Sequence, residues 1–529
     1  MRQAQFRRSG KQWFVSDGLI WDDSPATYRT EPRRPLECSS KLHVYNPQGA
    51  PAAVTARFYH TDRPPTQVSF TVGGGEIEQL ELAKLPEIPH KQAFWIAIES
   101  GVPVLPQAVH ADYTFWDPVP DALIAVAPYP GPLRDETSWV FPDCYESEPS
   151  RGWYEYETLT ILNPGKRPVK VHVRYLLRYR EGGAEETVEV PAERVVQLDV
   201  WRRSPKVLGT ENGPPVRVGA DYAVRLDASG PVIAQTTRRA RWVGRPSIIG
   251  ARSTMAIPLR ELEDIPWYYP GGAIVDRGVL PRADASQHPL GQCDNTWNLL
   301  FVHNLDGKRD TRARITFQNP DGSSTTSEAL PIPSGKSILE CLHGRPWLGE
   351  HTAVDRPFAM TVRGDTPVAA EVTCAEFEMW SQVCPGAMSA VNLYPGPLTD
   401  ERVWWLGIGR AGGADDVNTE WNQTYHLFNP GETDVTVVLS FLGLKGGSPT
   451  PAREVVLAAG AVARVDSKEV AGLPVGQPFA VRAEGTGPFC AQVFGRTFTR
   501  GLPYTRAMYS LIGLPMRLAA TRRPPTGGR

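Results

Sequence analysis

The chain lacks the signatures of the common enzyme classes. It has no GxSxG elbow, no HExxH pair, no GxxxxGK[ST] phosphate loop and no GxGxxG opening a helix, so those chemistries have no anchor. Its ten histidines form no pattern shared by all the repeats, which argues against a repeated metal site, and no cofactor is expected. No apolar run approaches 18 residues, and the basic start MRQAQFRRSGKQWF is followed by no apolar leader core, so neither membrane insertion nor standard secretion is expected. Charge of one sign is not in excess. With 56 basic against 58 acidic residues and a net charge of -2, a broad nucleic-acid or anionic-membrane footprint is disfavoured. The seven cysteines (Cys38, Cys144, Cys293, Cys341, Cys374, Cys384, Cys490) form no CxxC pair and are odd in number, which suits reduced thiols in a cytoplasmic protein. Sustained 3.6-residue periodicity is also missing, so long helices are not expected.

What is present is repetition. An apolar strand ending in Asn occurs four times, as LHVYNP (Asn46), LTILNP (Asn163), LFVHNL (Asn304) and YHLFNP (Asn429). About 50 residues later comes a second shared phrase: FWIAIESGVPVLPQ, YAVRLDASGPVIAQ, FAMTVRGDTPVAAE and FAVRAEGTGPFCAQ. Each repeat opens on a tryptophan, read as Trp13, Trp139, Trp267 and Trp405. Between these landmarks lie short β-branched and aromatic runs bounded by Gly, Pro, Asn and Asp. The 50 prolines fit strand edges and turns, and VGGGE (72–76) reads as a hairpin turn.

The fold class expected is therefore all-β: four tandem β-sandwich, jelly-roll-like domains. Their spans are 11–135, 136–264, 265–402 and 403–516, with flexible tails at 1–10 and 517–529. Units two and four are most alike and the junctions after units one and three nearly identical, so the order is A-B-A′-B′. Such a chain can close on itself as a single-chain pseudo-tetramer with pseudo-two-fold or pseudo-four-fold symmetry. A monomer of that kind or a low-order homo-oligomer is expected.

Several phrases resemble the Anabaena sensory rhodopsin transducer family. YETLTILNPG, with Glu157 six residues before Asn163, is similar to that family's HExxxxxN strand. ARFYHTDRPP, with Asp62 and Arg63, resembles its YFxDRxP strand, while VPA (190–192), VPVLPQ (102–107) and APYPGP (127–132) resemble its turn, its last strand and its closing segment. The resemblance implies small β-sandwich domains that assemble as tetramers and bind small molecules, sugars among them, or partner proteins.

The candidate ligand-binding residues are polar side chains on apolar strands. Six residues before each Asn stand Ser40, Glu157, Asn298 and Gln423, which are solvent-facing, hydrogen-bonded or lining a pocket. Four residues after each shared Pro stand Gln107, Gln235, Glu371 and Gln492, which serve neighbouring loops or a bound hydroxyl. Asp62 and Arg63 complete the set, with a surface turn as the alternative. The four Asn residues read as turn formers or ligand contacts. Non-repeated aromatics (Trp21, Trp116, Trp153, Trp201, Trp242, Trp297, Trp347, Trp380, Trp421) are platforms for a sugar or anchors for a protein. The expected function is a non-enzymatic small-molecule binding or sensory adaptor protein. The alternatives are a structural or signalling scaffold binding protein partners, and a carbohydrate-active enzyme with its site between units.

Overall fold

The first strand of each unit carries apolar residues on both faces, and the architecture follows from that. The computed structural model describes residues 11–19, 22–23, 36–88, 92–113, 120–133, 136–146, 153–178, 183–200, 220–242, 248–259, 265–274, 296–344, 346–377, 385–413, 419–443, 451–473, 475–500 and 505–516. In unit one the strands are β1 (Gln12–Leu19), β2 (Asp22–Asp23), β3 (Leu36–Tyr45), β4 (Ala52–His60), β5 (Thr66–Val72), β6 (Ile77–Glu81), β7 (Ala93–Ser100), β8 (Leu105–Tyr113), β9 (Pro120–Val126) and β10 (Tyr129–Pro130). They form two antiparallel sheets. One has the order β10-β1-β7-β4-β5; the other has β2-β3-β8-β9, with β6 also paired to β3. The other repeats keep this plan, giving eight sheets, and none closes into a barrel. VGGGE carries the chain from β5 in one sheet to β6 in the other, so it is not the hairpin expected from its glycines.

The register corrects one landmark. Trp13, Trp139 and Trp267 lie opposite Pro130, Pro258 and Pro395, and the residue opposite Pro515 is Trp404. Two adjacent tryptophans hid the one-residue offset, and in a strand that offset reverses the face. Trp404 packs into the core shared by units three and four, while Trp405 faces unit one and stacks on Tyr45 at 4.8 Å. Just beyond each of these residues the first strand bulges, at Val15/Gly18, Phe141/Cys144, Tyr269/Gly272 and Trp405/Ile408.

Alternation along β7 shows how units join. Phe94, Ile96 and Ile98 enter the core of unit one, whereas Trp95 and Ala97 enter the core of unit two. Both faces of β1 and β7 are thus buried, which is why these two strands read as apolar runs, whereas β5 at the edge of the sheet alternates with exposed residues. The same arrangement at the far end puts Trp405, Ile408 and Ala480 of unit four into the core of unit one. Around the centre, β9 and its counterparts Ile248–Met255, Pro385–Asn392 and Thr505–Ile512 pack in a ring, each against the next and the last against the first. Every contact is head-to-tail, and four of them close.

Candidate functional site

The four repeated asparagines are fully buried turn staples. Asn429 is representative: its Nδ2 donates to the carbonyls of Thr433 (2.8 Å), Ala458 (3.0 Å) and Leu457 (3.3 Å), and its Oδ1 accepts from the Gly431 N–H (3.0 Å). Asn46, Asn163 and Asn304 make the corresponding bonds. Their donors and acceptors are spent on backbone, which leaves them structural.

The residues six positions earlier are all buried, facing the sandwich interior. Glu157 accepts from the Tyr145 N–H at 3.1 Å, and Asn298 donates to the Ala273 carbonyl at 3.0 Å. Gln423 bonds the Tyr509 hydroxyl at 3.2 Å, and that hydroxyl reaches the Ile408 carbonyl at 3.0 Å. Three of the four thus tie the second sheet to the bulged first strand of their own unit. Among the described residues Ser40 Oγ has no hydrogen-bond partner.

Three of the four positions after the shared Pro, Gln107, Glu371 and Gln492, lie at the seams between units. Gln107 Oε1 accepts from the Ile408 N–H of unit four at 2.5 Å. Gly407, with φ at +81°, gives it room, since a Cβ there would stand 2.5 Å from Gln107 Oε1. Glu371 meets Arg252 of unit two at 3.0 Å, and buried Gln492 lies beside Tyr269 of unit three. Gln235 bonds within unit two, to Ser253 (2.6 Å) and Thr237 (3.3 Å). Asp62 and Arg63 stand apart, holding the Gln92 side chain (3.1 Å) and the Glu87 carbonyl (2.6 Å). Of the aromatic candidates, Trp347 is buried and donates to Glu340, and Trp421 is half-buried at a seam. Trp21, Trp116, Trp201 and Trp380 lie outside the described residues, as do the side chains of Trp153, Trp242 and Trp297.

The seam between units two and three is packed with charge. Asp143 bonds Arg238 (3.0 Å), Arg252 (2.7 Å) and Thr373 (2.6 Å), while Arg238 also meets Glu157 (3.2 Å) and Glu155 (3.8 Å). Burial alone would raise the Asp143 pKa, but Arg238, Arg252 and Arg178 together hold it below the usual carboxylate range. Burial pushes Glu155 up to about 7 and Glu371 up to about 8. Carboxyls with separated pKa values can mark acid-base sites. These are at most 7% exposed and line none of the described cavities, so they act as an ionic plug.

The corresponding seam between units four and one is hollow. Position by position, Trp421 stands for Glu155 and Gln423 for Glu157, eight and six residues before the Asn. Gly495, three residues after Gln492, stands for Arg238, and its cross-strand partner Tyr509 stands for Arg252. Removing two guanidinium side chains leaves a cavity of about 70 Å³. Unit one contributes Ser39, Lys41 and His43, which alternate with the core-facing Ser40 and Leu42. Unit four contributes Arg410, whose guanidinium lies 5.5 Å over Trp421. Burial pushes His43 down to about 4, and Lys41 is lowered by burial and then by Arg410. Gln423 and Trp421 were legible as candidates, but Lys41, His43 and Arg410 were not: Lys41 and Arg410 are single charged residues with no counterpart in the other repeats, and His43, matched by His426, lies on an apolar strand. A second cavity, of about 120 Å³, lies where the four closing segments meet, lined mainly by residues such as Val126, Met255, Leu393 and Leu511.

The four repeated two-sheet units and their ring of seams define an all-β assembly of β-sandwich domains. Residues 9–128 and 135–251, which cover most of units one and two, match the family model described as Anabaena sensory rhodopsin transducer, and this supports the resemblance read from the sequence. A solved structure of Thermotoga maritima 1070 is 23% identical, covering 23% of this chain and 94% of that one, with a TM-score of 0.19. The structure of the Anabaena sensory rhodopsin transducer itself is 22% identical, covering 19% and 88%, with a TM-score of 0.16. No curated protein matches the chain.

Proposed function

We propose that this chain is a non-enzymatic sensory adaptor that binds a small molecule, a sugar or sugar-derived metabolite, at the seam between units four and one, and works in the cytoplasm. The observation that carries this reading is the contrast between two seams of one architecture, one plugged by its own ion pairs and one hollow. The match of units one and two to the transducer family model supports an adaptor role, with a partner protein as the receiver of the signal. A scaffold working through an apolar patch is less well supported. Among the described residues the exposed large apolar side chains are Val354, Val456 and Val475, well separated in sequence. In the described residues no helix is long and apolar enough to cross a membrane, and Cys144, Cys341, Cys374 and Cys490 are free thiols.

A thermal-shift screen against monosaccharides, sugar acids and sugar phosphates tests the proposal. Ligand at 100 times Kd adds about 2.7 kcal/mol to the native state, which is a measurable rise in Tm. A rise confined to one chemical class is the expected result. No rise with any compound would transfer the role to protein partners alone.

A further inference from the structure

The hollow seam has a definite electrostatic character. Lys41 and Arg410 both line it, and each contributes to depressing the His43 pKa, so the two cations share one small space. None of its described lining residues is a carboxylate. Among the described residues neither Lys41 nor Arg410 makes an ion pair, and Glu81, the acid that partly offsets the field on Lys41, is held by Lys84 at 2.5 Å. Two half-buried cations without a counterion are costly, and an anion supplied from outside offsets that cost. The plugged seam shows the alternative, in which carboxylates of the chain itself neutralise the arginines.

The donors are also arranged for a ligand. Stacking on Trp421 orients the Arg410 guanidinium while leaving its N–H groups available. The His43 ring is 5% exposed; its Nε2–H donates to Gln79 Oε1 at 3.1 Å, which leaves Nδ1 as an acceptor with no partner among the described residues. A buried, unsatisfied acceptor beside two cations suits a ligand hydroxyl that donates to it while the anionic head lies against the cations. The cavity of about 70 Å³ exceeds the roughly 10–15 Å³ that a single water requires on the same measure. Ser39, Lys41, Arg410 and Trp421 are half-buried, so the body of a larger ligand can extend past them toward solvent.

We infer that the seam between units four and one binds a small organic anion, with Lys41 and Arg410 gripping a carboxylate or phosphate head beside His43. This rests on the small-molecule reading above and narrows it to sugar acids or sugar phosphates. The lysine is particular to this seam: where unit one has Lys41 and His43, unit three has Leu299 and Phe301, and unit four keeps a histidine, His426, but has Thr424 in place of the lysine.

The test is calorimetric titration of the full chain with glucuronate, glucose 6-phosphate and glucose, in the wild type and in Arg410→Gln, Lys41→Met and the distant surface variant Arg314→Gln. Binding of glucuronate or glucose 6-phosphate, but not glucose, is expected, and which of the two binds separates a carboxylate from a phosphate site. Arg410→Gln and Lys41→Met should each weaken it about 10- to 100-fold, as loss of a charged hydrogen-bond partner does, with Arg314→Gln unchanged. Circular dichroism checks that the variants are folded. Anion binding that survives both cavity substitutions overturns the site. Binding of glucose as tight as that of glucuronate overturns the anionic class while leaving the small-molecule function standing. Binding of none of the three probes overturns the anion proposal, and the wider thermal-shift screen then decides whether the small-molecule function stands without it.

Discussion

Glu371→Gln is the substitution that probes the ionic plug most directly. Glu371 is fully buried and accepts from Arg252 at 3.0 Å. Its pKa is pushed up to about 8 by burial first, opposed by Arg252 and Arg238 and reinforced by Asp143 and Glu157. The unfolded side chain titrates at its ordinary value of 4.5. Between these two values the folded chain holds a proton that the unfolded chain has lost. The associated stability is therefore fully present below pH 4.5 and is lost as pH rises through about 8. Each pH unit inside that window removes at most about 1.4 kcal/mol, so about 3 kcal/mol separates pH 5.5 from pH 8.5. Gln keeps the acceptor facing Arg252 and has no proton to lose. The variant should lead the wild type by about 1.4 kcal/mol at pH 5.5, one unit above the ordinary pKa, and by about 3 kcal/mol more at pH 8.5. At about 2.1 cal/mol/K per residue, the further gain in Tm is about 3 °C if the whole chain melts together and about 5 °C if two units melt alone. Differential scanning calorimetry at both pH values reads this difference, in which the raised pKa of Glu155 cancels to first order. An equal difference in Tm at the two pH values would refute the reasoning, because Glu371 would then be ionised throughout.

Two further substitutions test the repeated architecture. Asn429→Ala removes donors from three carbonyls and an acceptor from the Gly431 N–H, all near a buried turn, and should cost about 2–3 kcal/mol by chemical denaturation. Asn163→Ala should cost a similar amount, because its bonds correspond one for one. Gly407→Ala places a Cβ against Gln107 at a backbone φ of +81° and should loosen the ring at the seam between units four and one by about 1–3 kcal/mol. Faster proteolysis of the variant at that seam is the expected readout, and an unchanged digestion pattern would count against closure there.

Reading the sequence reached far into the individual unit. The Asn-ended strands, the Gly- and Pro-marked turns and the absence of long helices all follow from local side-chain chemistry, and they reappear in β3, β8 and their counterparts. The transducer resemblance rested on such local phrases. The misplaced landmark at Trp405 and the misread VGGGE turn share one cause. Both depended on knowing which face or sheet a residue joins, and two neighbouring tryptophans or three glycines leave that open. The polar positions before each Asn were legible as unusual, yet their burial was not, since a strand pattern alone does not say whether its second face meets water or another unit.

By itself the sequence determined that the chain is four copies of one β unit, because strand and turn propensities act within a few residues and recur with the repeat. Only the tertiary structure decided that the fourth unit closes onto the first, that charges fill one seam, and that Gly495 and Tyr509 leave another open to Lys41 and Arg410. Those outcomes depend on pairs of residues as much as several hundred positions apart, and complementarity of shape and charge exists only after both sheets are in place.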